Sequence, residues 1–229
     1  MLFIYSFLPL VALSVALPVQ DQPVKSALSS PCSSYTLINT RGTGEPQGES
    51  AGFRTMNNQI TSQLPGGKIV NTVYPADYSQ NAAAGTKDII NKITSKLSSS
   101  PSECFILQGY SQGAAATVNA LPSLTGTSFD AVKGVFLIGN PERKAGLACN
   151  VDNNNGTTTK NVSGLQSAIS AGIPSNWVGK SLDVCIFGDG VCDTTNGHGI
   201  NAQHLSYPSD SSTQKLGAAF AVAKLSGVL

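Results

Sequence analysis

A junction near the middle of the chain, at residues 104–118, limits the possible folds more than any other stretch. The apolar run CFILQ leads into the turn-like GYSQG, and the small residues AAATV follow. An apolar run without alternation is typical of a strand buried on both faces of a parallel sheet, and alanines favour a helix. The junction therefore predicts a strand, a tight turn and a helix, with Ser111 alone between two glycines.

The same alternation of strand and helix extends over the rest of the chain. Short β-rich apolar runs occupy residues 35–39, 68–74, 132–140 and 182–188. Between and after them, apolar residues recur at the spacing of amphipathic helices: Phe53, Met56, Ile60 and Leu64; Ile89, Ile93 and Leu97; Leu216, Phe220 and Ala223. This order predicts an α/β fold, in which right-handed crossovers place helices on both faces of a parallel sheet.

Composition limits the domain count and the partners. The 229 residues are 41% hydrophobic, enough for one sizeable core, and we expect residues 32–229 to form a single domain. Fourteen basic and thirteen acidic side chains nearly cancel, so no charge pattern favours nucleic acid or an anionic membrane as a partner. We expect a monomer.

The N-terminal segment predicts secretion. Residues 1–16 are apolar and end in the small residues Ser14 and Ala16, the pattern that signal peptidase recognises, so we expect cleavage near Ala16. The apolar run is shorter than the roughly 20 residues that a membrane-spanning helix needs, which argues against a permanent anchor. Residues 17–31 lack periodicity, and we interpret them as a short pro-segment trimmed near Lys25.

Five cysteines allow two disulfides and one free thiol. Cys185 and Cys192 flank the turn-forming Gly-Asp-Gly of CIFGDGVC, so we pair them with each other, and we then pair Cys32 with Cys104. Cys149 is left without a partner. The spacing of cysteines and histidines does not fit a tetrahedral metal site, and no metal or other cofactor is expected.

The polar segment NVDNNNGTTTKNVSG, at residues 150–164, is predicted to be an exposed loop. It contains two glycosylation sequons, which begin at Asn155 and Asn161. In a secreted protein both asparagines are candidate glycan acceptors.

The residues around Ser111 predict a catalytic nucleophile. GYSQG fits the G-x-S-x-G pattern of a nucleophile elbow, in which a strained turn between strand and helix exposes a serine hydroxyl. Such a serine needs a histidine base and a carboxylate that orients the base. Of the two histidines, we favour His204, which has apolar neighbours, over His198, which lies between glycines. For the carboxylate we favour Asp189, inside the predicted cystine loop, over Asp193 just outside it.

Acyl transfer also needs hydrogen-bond donors for the oxyanion that develops during the reaction. The backbone N–H of Gln112 is one candidate, because the first N–H groups of a helix have no partner within the helix. The loop after the first strand, NTRGTGEPQG, offers a second donor, and Thr43 is the candidate there.

These segments together resemble the fungal cutinases, and most closely the cutinase-like polyesterases of yeasts. The segments that carry the resemblance are GYSQG, RGTGE, and CIFGDGVC followed by HLSY. It implies a small three-layer α/β hydrolase with about five central parallel strands and no large lid. It also implies that Ser111 is the nucleophile, Asp189 the orienting carboxylate and His204 the general base, with Thr43 and Gln112 as oxyanion donors.

The resemblance further implies an apolar acyl groove lined by Ile200 and Leu205, and an Asn81 side chain that holds Thr43. The implied function is a secreted serine esterase that cleaves aliphatic polyesters, including insoluble ones, and fatty-acid esters through an acyl-enzyme. Two alternatives stay open. One is an acetylxylan esterase, and the other is a secreted surface-binding protein that keeps the hydrolase shape without catalysis.

Overall fold

The structure, a computed structural model, describes residues 1–2 and 31–228. The expected signal-peptide cleavage near Ala16 and the expected trimming near Lys25 lie outside these residues. Among the helices of the described part, none is both long enough and apolar enough to cross a membrane.

Six parallel strands form a central sheet in the order β2-β1-β3-β4-β6-β5. The strands are β1 (Tyr35–Thr40), β2 (Lys68–Asn71), β3 (Cys104–Tyr110), β4 (Val132–Ile138), β5 (Asn150–Val151) and β6 (Ser181–Val184). Every residue of β1 and β3 is buried, as expected for central strands that are covered on both faces. The predicted α/β fold with a parallel sheet is confirmed.

The sixth strand lies where the sequence predicted only a loop. β5 pairs with β6 at the edge of the sheet, with Val151 beside Val184. The buried guanidinium of Arg143 anchors this edge, because it donates hydrogen bonds to the carbonyl oxygens of Val151, Thr159 and Asp183. A two-residue strand is too short to leave a periodic pattern in the sequence, which explains why it was missed.

Helices cover both faces of the sheet. They are α1 (Arg54–Gln63), α2 (Ala83–Ser99), α3 (Gln112–Ala120), α4 (Thr127–Ala131) and α5 (Ser211–Leu225), and two short 3₁₀ helices occupy Leu121–Ser123 and Ser175–Lys180. Phe105 and Leu107 of β3 belong to the core that includes α2 and α3, whereas Ile106 belongs to the core that includes α1 and α5. Because both faces are apolar, the strand reads as an unbroken hydrophobic run.

Two disulfides join the same cysteine pairs that we drew from the sequence. Cys32–Cys104 links the segment before β1 to the first residue of β3, and Cys185–Cys192 closes a short loop after β6. Cys149 is a free thiol in the core formed with α2 and α3, where burial raises its pKa to about 12.

Candidate active site

Ser111 lies in a strained turn between β3 and α3. Its backbone has φ 55° and ψ −121°, a conformation that residues with a side chain rarely adopt. The turn also needs its flanking glycines, because a Cβ on Gly109 would approach the backbone of Ala114 to 2.7 Å. A Cβ on Gly113 would collide with the carbonyl oxygen of Thr40. The close packing of strand and helix thus places the Ser111 hydroxyl at the carboxyl edge of the sheet.

The imidazole of His204 lies between Ser111 and a buried carboxylate. Its Nε2 is 2.9 Å from Ser111 Oγ, and its Nδ1 is 2.9 and 3.0 Å from the two oxygens of Asp189. Since a carboxylate can only accept hydrogen bonds, Nδ1 carries the proton and Nε2 accepts the Ser111 hydroxyl. His204 is 2% exposed and Asp189 is fully buried. The structure therefore brings together the three side chains that we selected from the sequence.

Asp189 is held in position by the loop that the short disulfide closes after β6. Its Oδ1 accepts the Val191 N–H at 2.9 Å, and its own N–H donates to the carbonyl oxygen of Ile186 at 3.0 Å. Together with the His204 contact, these bonds fix the carboxylate on a loop that would otherwise be mobile.

The two residues that we set aside as alternatives do not contact Ser111 through hydrogen bonds. Asp193 is buried, but its carboxylate accepts the N–H groups of Gly188 and Asn196 and so shapes the loop around Asp189. His198 is exposed. Rigid docking of the imidazole, which favoured His204 in the sequence, is therefore what distinguishes the two histidines in the structure.

Two tyrosines hold Asp189 and His204 in place, and the sequence did not reveal their contacts. Tyr207 is fully buried; its Oη accepts the Ile186 N–H at 3.1 Å and donates to Asp189 Oδ2 at 2.7 Å. Burial and the nearby Asp189 charge raise the pKa of Tyr207 well above its ordinary value, so the phenol keeps the proton that it donates. Tyr110 donates to the backbone carbonyl oxygen of His204 at 2.6 Å. Tyr110 lies in GYSQG and Tyr207 in HLSY, so their position in these two segments was the sequence signal for a role at the site.

The candidate oxyanion donors are Thr43 and the backbone of Gln112. Gln112 is the first residue of α3, so no helical carbonyl is available to its N–H. Thr43 Oγ1 donates to Gln112 Oε1 at 3.2 Å and accepts from Gln80 Nε2 at 3.1 Å. The carboxylate of Glu45 fastens the Thr43 loop by accepting the Gly42 N–H at 2.6 Å.

Gln80, and not Asn81, contacts the Thr43 side chain, which corrects the expectation drawn from the resemblance. Asn81 Oδ1 instead accepts the N–H of Ala83 at 3.0 Å, at the start of α2. The backbone of Gln80 has φ 60°, and in this turn its side chain is the one beside Thr43. Two adjacent amide side chains are equivalent in a sequence, and the local backbone conformation decides between them.

Ser111 opens into a cleft of about 250 Å³ with apolar borders. Ile200 and Leu205, the side chains expected to line an acyl groove, border this Ser111 cleft together with Tyr78. They are 51%, 61% and 80% exposed, respectively. Exposed large apolar side chains around a polar centre are typical of a site for an apolar ligand.

One group in the described part of the chain has the spacing of metal ligands: Cys185, Asp189 and Cys192. Its two sulfur atoms are bonded to each other, and the carboxylate contacts His204 and Tyr207. The group has no thiolate to offer and serves instead to fix the Asp189 loop.

Both the sequence and the structure of this chain are similar to those of known proteins. The family model described as Cutinase matches residues 31–225. The solved structure of a cutinase-like protein from Cryptococcus sp. is 65% identical, with a TM-score of 0.84, and the match covers 86% of this chain and 98% of that one. The catalytic core domain of acetyl xylan esterase from Trichoderma reesei is 26% identical, with a TM-score of 0.69, over 86% of this chain and 100% of that one. Carboxylesterase Culp1 of Mycobacterium tuberculosis is 28% identical, over 94% of this chain and 92% of its own length.

These similarities extend over nearly all of the part of the chain that the structure describes. The matched residues 31–225 of this chain contain its six-stranded sheet, Ser111 and the Asp189 loop. Two independent lines, the family model and the solved structures, lead to the same kind of protein. The chain is therefore a member of the cutinase family and a carboxylic ester hydrolase.

Proposed function

We propose that Ser111, His204 and Asp189 are the catalytic residues of a secreted esterase that cleaves aliphatic polyesters and fatty-acid esters. One observation carries the proposal: a hydrogen-bonded chain runs from Ser111 Oγ through the imidazole to the buried carboxylate, at 2.9 Å on each side of the ring. This is the geometry that turns a weakly nucleophilic hydroxyl into an activated one.

The reaction proceeds through an acyl-enzyme. Ser111 Oγ attacks the ester carbonyl carbon while His204 Nε2 takes the hydroxyl proton, and the Gln112 N–H and the Thr43 hydroxyl stabilise the oxyanion. The bond to the alcohol oxygen then breaks, and His204 returns the proton to that oxygen. A water molecule, deprotonated by His204, then attacks the carbonyl carbon of the acyl-enzyme. The bond from that carbon to Ser111 Oγ breaks, His204 returns the proton to Oγ, and the acid is released.

The apolar border of the Ser111 cleft supports an aliphatic acyl chain as the substrate part bound there. Tyr78, Ile200 and Leu205 present apolar surface around the nucleophile, and covering it with hydrocarbon is favourable by about 25 cal/mol per Å². The same exposed side chains would meet the surface of an insoluble polyester.

Secretion is part of the proposal, with residues 1–16 as signal peptide and residues 32–229 as the mature domain. It is supported by two disulfides, which persist in oxidising compartments. The sequon residues Asn155 and Asn161 are both exposed and are the proposed glycan sites.

An acetylxylan esterase is the second candidate, favoured by the likeness to the Trichoderma reesei enzyme of that name. Acyl-chain preference separates the two. We expect kcat/KM on nitrophenyl esters to rise beyond acetate, and insoluble aliphatic polyester to be a better polymer substrate than acetylated xylan. A maximum at acetate, with acetylated xylan preferred, would replace the polyesterase by the acetylxylan esterase.

The proposal is tested by Ser111→Ala with Ser102→Ala as its matched control, because Ser102 is exposed just before β3. The first variant should lose several orders of magnitude in kcat and its covalent labelling by an organophosphate, without loss of folding. The control should keep both. Labelling of the wild type at another residue, or near-normal turnover by Ser111→Ala, would remove Ser111 from its role. A folded wild type that takes up no label at Ser111 and hydrolyses no ester would favour the binding-protein alternative.

A further inference from the structure

Ser111 borders a second cavity besides the Ser111 cleft. This connecting cavity, of about 230 Å³, lies between Ser111 and the loop that follows β4, and its lining includes Gln80, Pro141, Leu165 and Gln166. A substrate held at Ser111 can therefore extend in two directions.

A larger cavity of about 450 Å³, which we call the side cavity, lies next to the connecting cavity. The two share the lining residues Gln80 and Gln166, so the side cavity adjoins the space beside the nucleophile. Ala83 and Ile90 of α2 and Ala115 of α3 give the side cavity an apolar wall. The roles proposed for the residues around Ser111 do not use the side cavity.

The rest of the side cavity carries hydrogen-bonding groups around a buried carboxylate. Glu142 is only 5% exposed; its two oxygens accept from Asn119 Nδ2 at 2.7 Å and from Ser170 Oγ at 2.6 Å. Each carboxylate oxygen can accept a second hydrogen bond, so capacity for a ligand donor is left. Burial raises the pKa of Glu142, which is the direction expected for a carboxylate that is shielded from water.

The charges of the side cavity favour a neutral ligand. Lys87 lines the same cavity as Glu142, and the nearby positive charge of Lys144 lowers the pKa of Glu142 against the effect of burial, so positive charges partly balance this carboxylate. Gln166, whose backbone N–H donates to the Pro141 carbonyl oxygen at 2.7 Å, lines both the connecting cavity and the side cavity. An apolar wall facing amide and carboxylate groups suits a ligand that carries both C–H and O–H groups.

We propose that the side cavity is a substrate subsite that binds a neutral, hydroxyl-bearing part of the ester, with Glu142 accepting a hydroxyl hydrogen bond. The inference rests on the proposed function, because the hydroxylated part reaches the side cavity only when its ester lies at Ser111. Two sources share this chemistry: a hydroxylated acyl chain, or a polyol such as glycerol in the alcohol part.

The test compares paired esters on the same enzyme preparation. The first arm pairs nitrophenyl esters of hydroxylated and plain fatty acids over a range of chain lengths, and the second pairs monoacylglycerols with methyl esters of the same acids. One added net hydrogen bond predicts a kcat/KM ratio of about five for the hydroxylated member at a suitable length. A preference for the hydroxylated ester in the first arm assigns the side cavity to the acyl chain. A preference for the monoacylglycerol in the second arm assigns it to the alcohol part.

Two variants of α2 locate the preference. Ala83→Trp places an indole in the side cavity, whereas Ala84→Trp places it on the exposed neighbouring position, which does not line the cavity. We expect the ratio to fall to about one in Ala83→Trp and to stay at the wild-type value in Ala84→Trp. Glu142→Gln, which keeps the side-chain shape but replaces an acceptor oxygen by a donor, should also lower the ratio.

Equal ratios in Ala83→Trp and Ala84→Trp, or a wild-type ratio of about one in both arms, would overturn the subsite while plain esters are still hydrolysed. Failure of the folded wild type to hydrolyse any ester would instead overturn the proposed function. The two failures are therefore distinct.

Discussion

Two groups of residues meet at Ser111, and they are built differently. The imidazole arm, formed by His204, Asp189 and Tyr207, is buried, and the hydrogen bonds among these side chains and to Ser111 measure 2.7–3.0 Å. The oxyanion arm, formed by Thr43, Gln80 and Gln112, reaches the surface: Gln80 is exposed, and the contacts of Thr43 measure 3.1–3.3 Å.

The difference indicates when each arm acquires its catalytic geometry, before or after the substrate binds. Proton transfer needs the imidazole in one tautomer and orientation, and the core supplies this before any substrate arrives. Long hydrogen bonds in a free active site commonly tighten only when a transition state forms. We therefore expect the imidazole arm to be preorganised and the oxyanion arm to be completed by the substrate, with the largest loss of kcat at Asp189 on the imidazole arm.

The largest effect is expected for Asp189→Asn. An amide can donate to Nδ1 of His204, which stabilises the wrong tautomer, so kcat should fall by about 10³ to 10⁴. Turnover of a soluble nitrophenyl ester measures it. The matched control is Asp193→Asn, just outside the cystine loop, whose carboxylate contacts backbone N–H groups and no imidazole. It should lower the unfolding temperature and leave kcat nearly unchanged. Equal losses of kcat in the two variants would contradict a specific role for Asp189.

A loss of about 10² in kcat is expected for Thr43→Val, which removes the hydroxyl and keeps the shape. Thr43→Ser restores the hydroxyl and should recover most of the activity. Measuring kcat for both variants separates a donor from a residue that only shapes the loop. A fully active Thr43→Val would show that the Thr43 hydroxyl is not an oxyanion donor. The Gln112 N–H would then be the remaining candidate.

Tyr207→Phe should lower kcat by about tenfold with little change in KM, because Asp189 loses one of three groups that donate to its carboxylate. Tyr35→Phe is the control, since it also deletes a buried phenol hydrogen bond, to the carbonyl oxygen of Leu64 and away from Ser111. Both should lower the unfolding temperature. If both lowered kcat equally, Tyr207 would be a stabilising residue and not a positioning one.

The smallest effect, about threefold in kcat, is expected for Gln80→Ala, because an exposed hydrogen bond contributes little. Asn81→Ala removes a contact to the Ala83 N–H and should act on the start of α2 instead. Comparing the two kcat values tests whether Gln80 or Asn81 supports the Thr43 side chain. A larger kcat loss in Asn81→Ala would restore Asn81 as the residue that supports Thr43.

Most of the fold could be predicted from the sequence because its signals are local. An apolar run such as 104–110 is long enough to show burial on both faces, and the helix residues Ile89 and Ile93 show their periodicity directly. The edge strand β5 could not be predicted, since its pairing with β6 depends on Arg143 and on contacts distant in the sequence.

The residues of the site also divide into those that the sequence could predict and those that it could not. Ser111, Asp189 and His204 could be selected because each lies in a segment with its own signal, an elbow, a cystine loop or a docked histidine. The contacts of Tyr207 and Gln80 could not, because they depend on where a side chain turns after the backbone has folded. Residues that touch the reacting atoms were accessible to sequence reasoning, and those that hold them in place were largely not.

The buried thiol of Cys149 has a consequence for how this chain acquires its cross-links. Burial raises the pKa of this thiol to about 12, so it stays protonated at neutral pH, and the thiolate is the form that attacks a disulfide. While the core is still open, five thiols compete for partners. In the folded protein the buried, protonated thiol of Cys149 is a poor attacker, so the two disulfides are protected from exchange with the odd cysteine of the same chain.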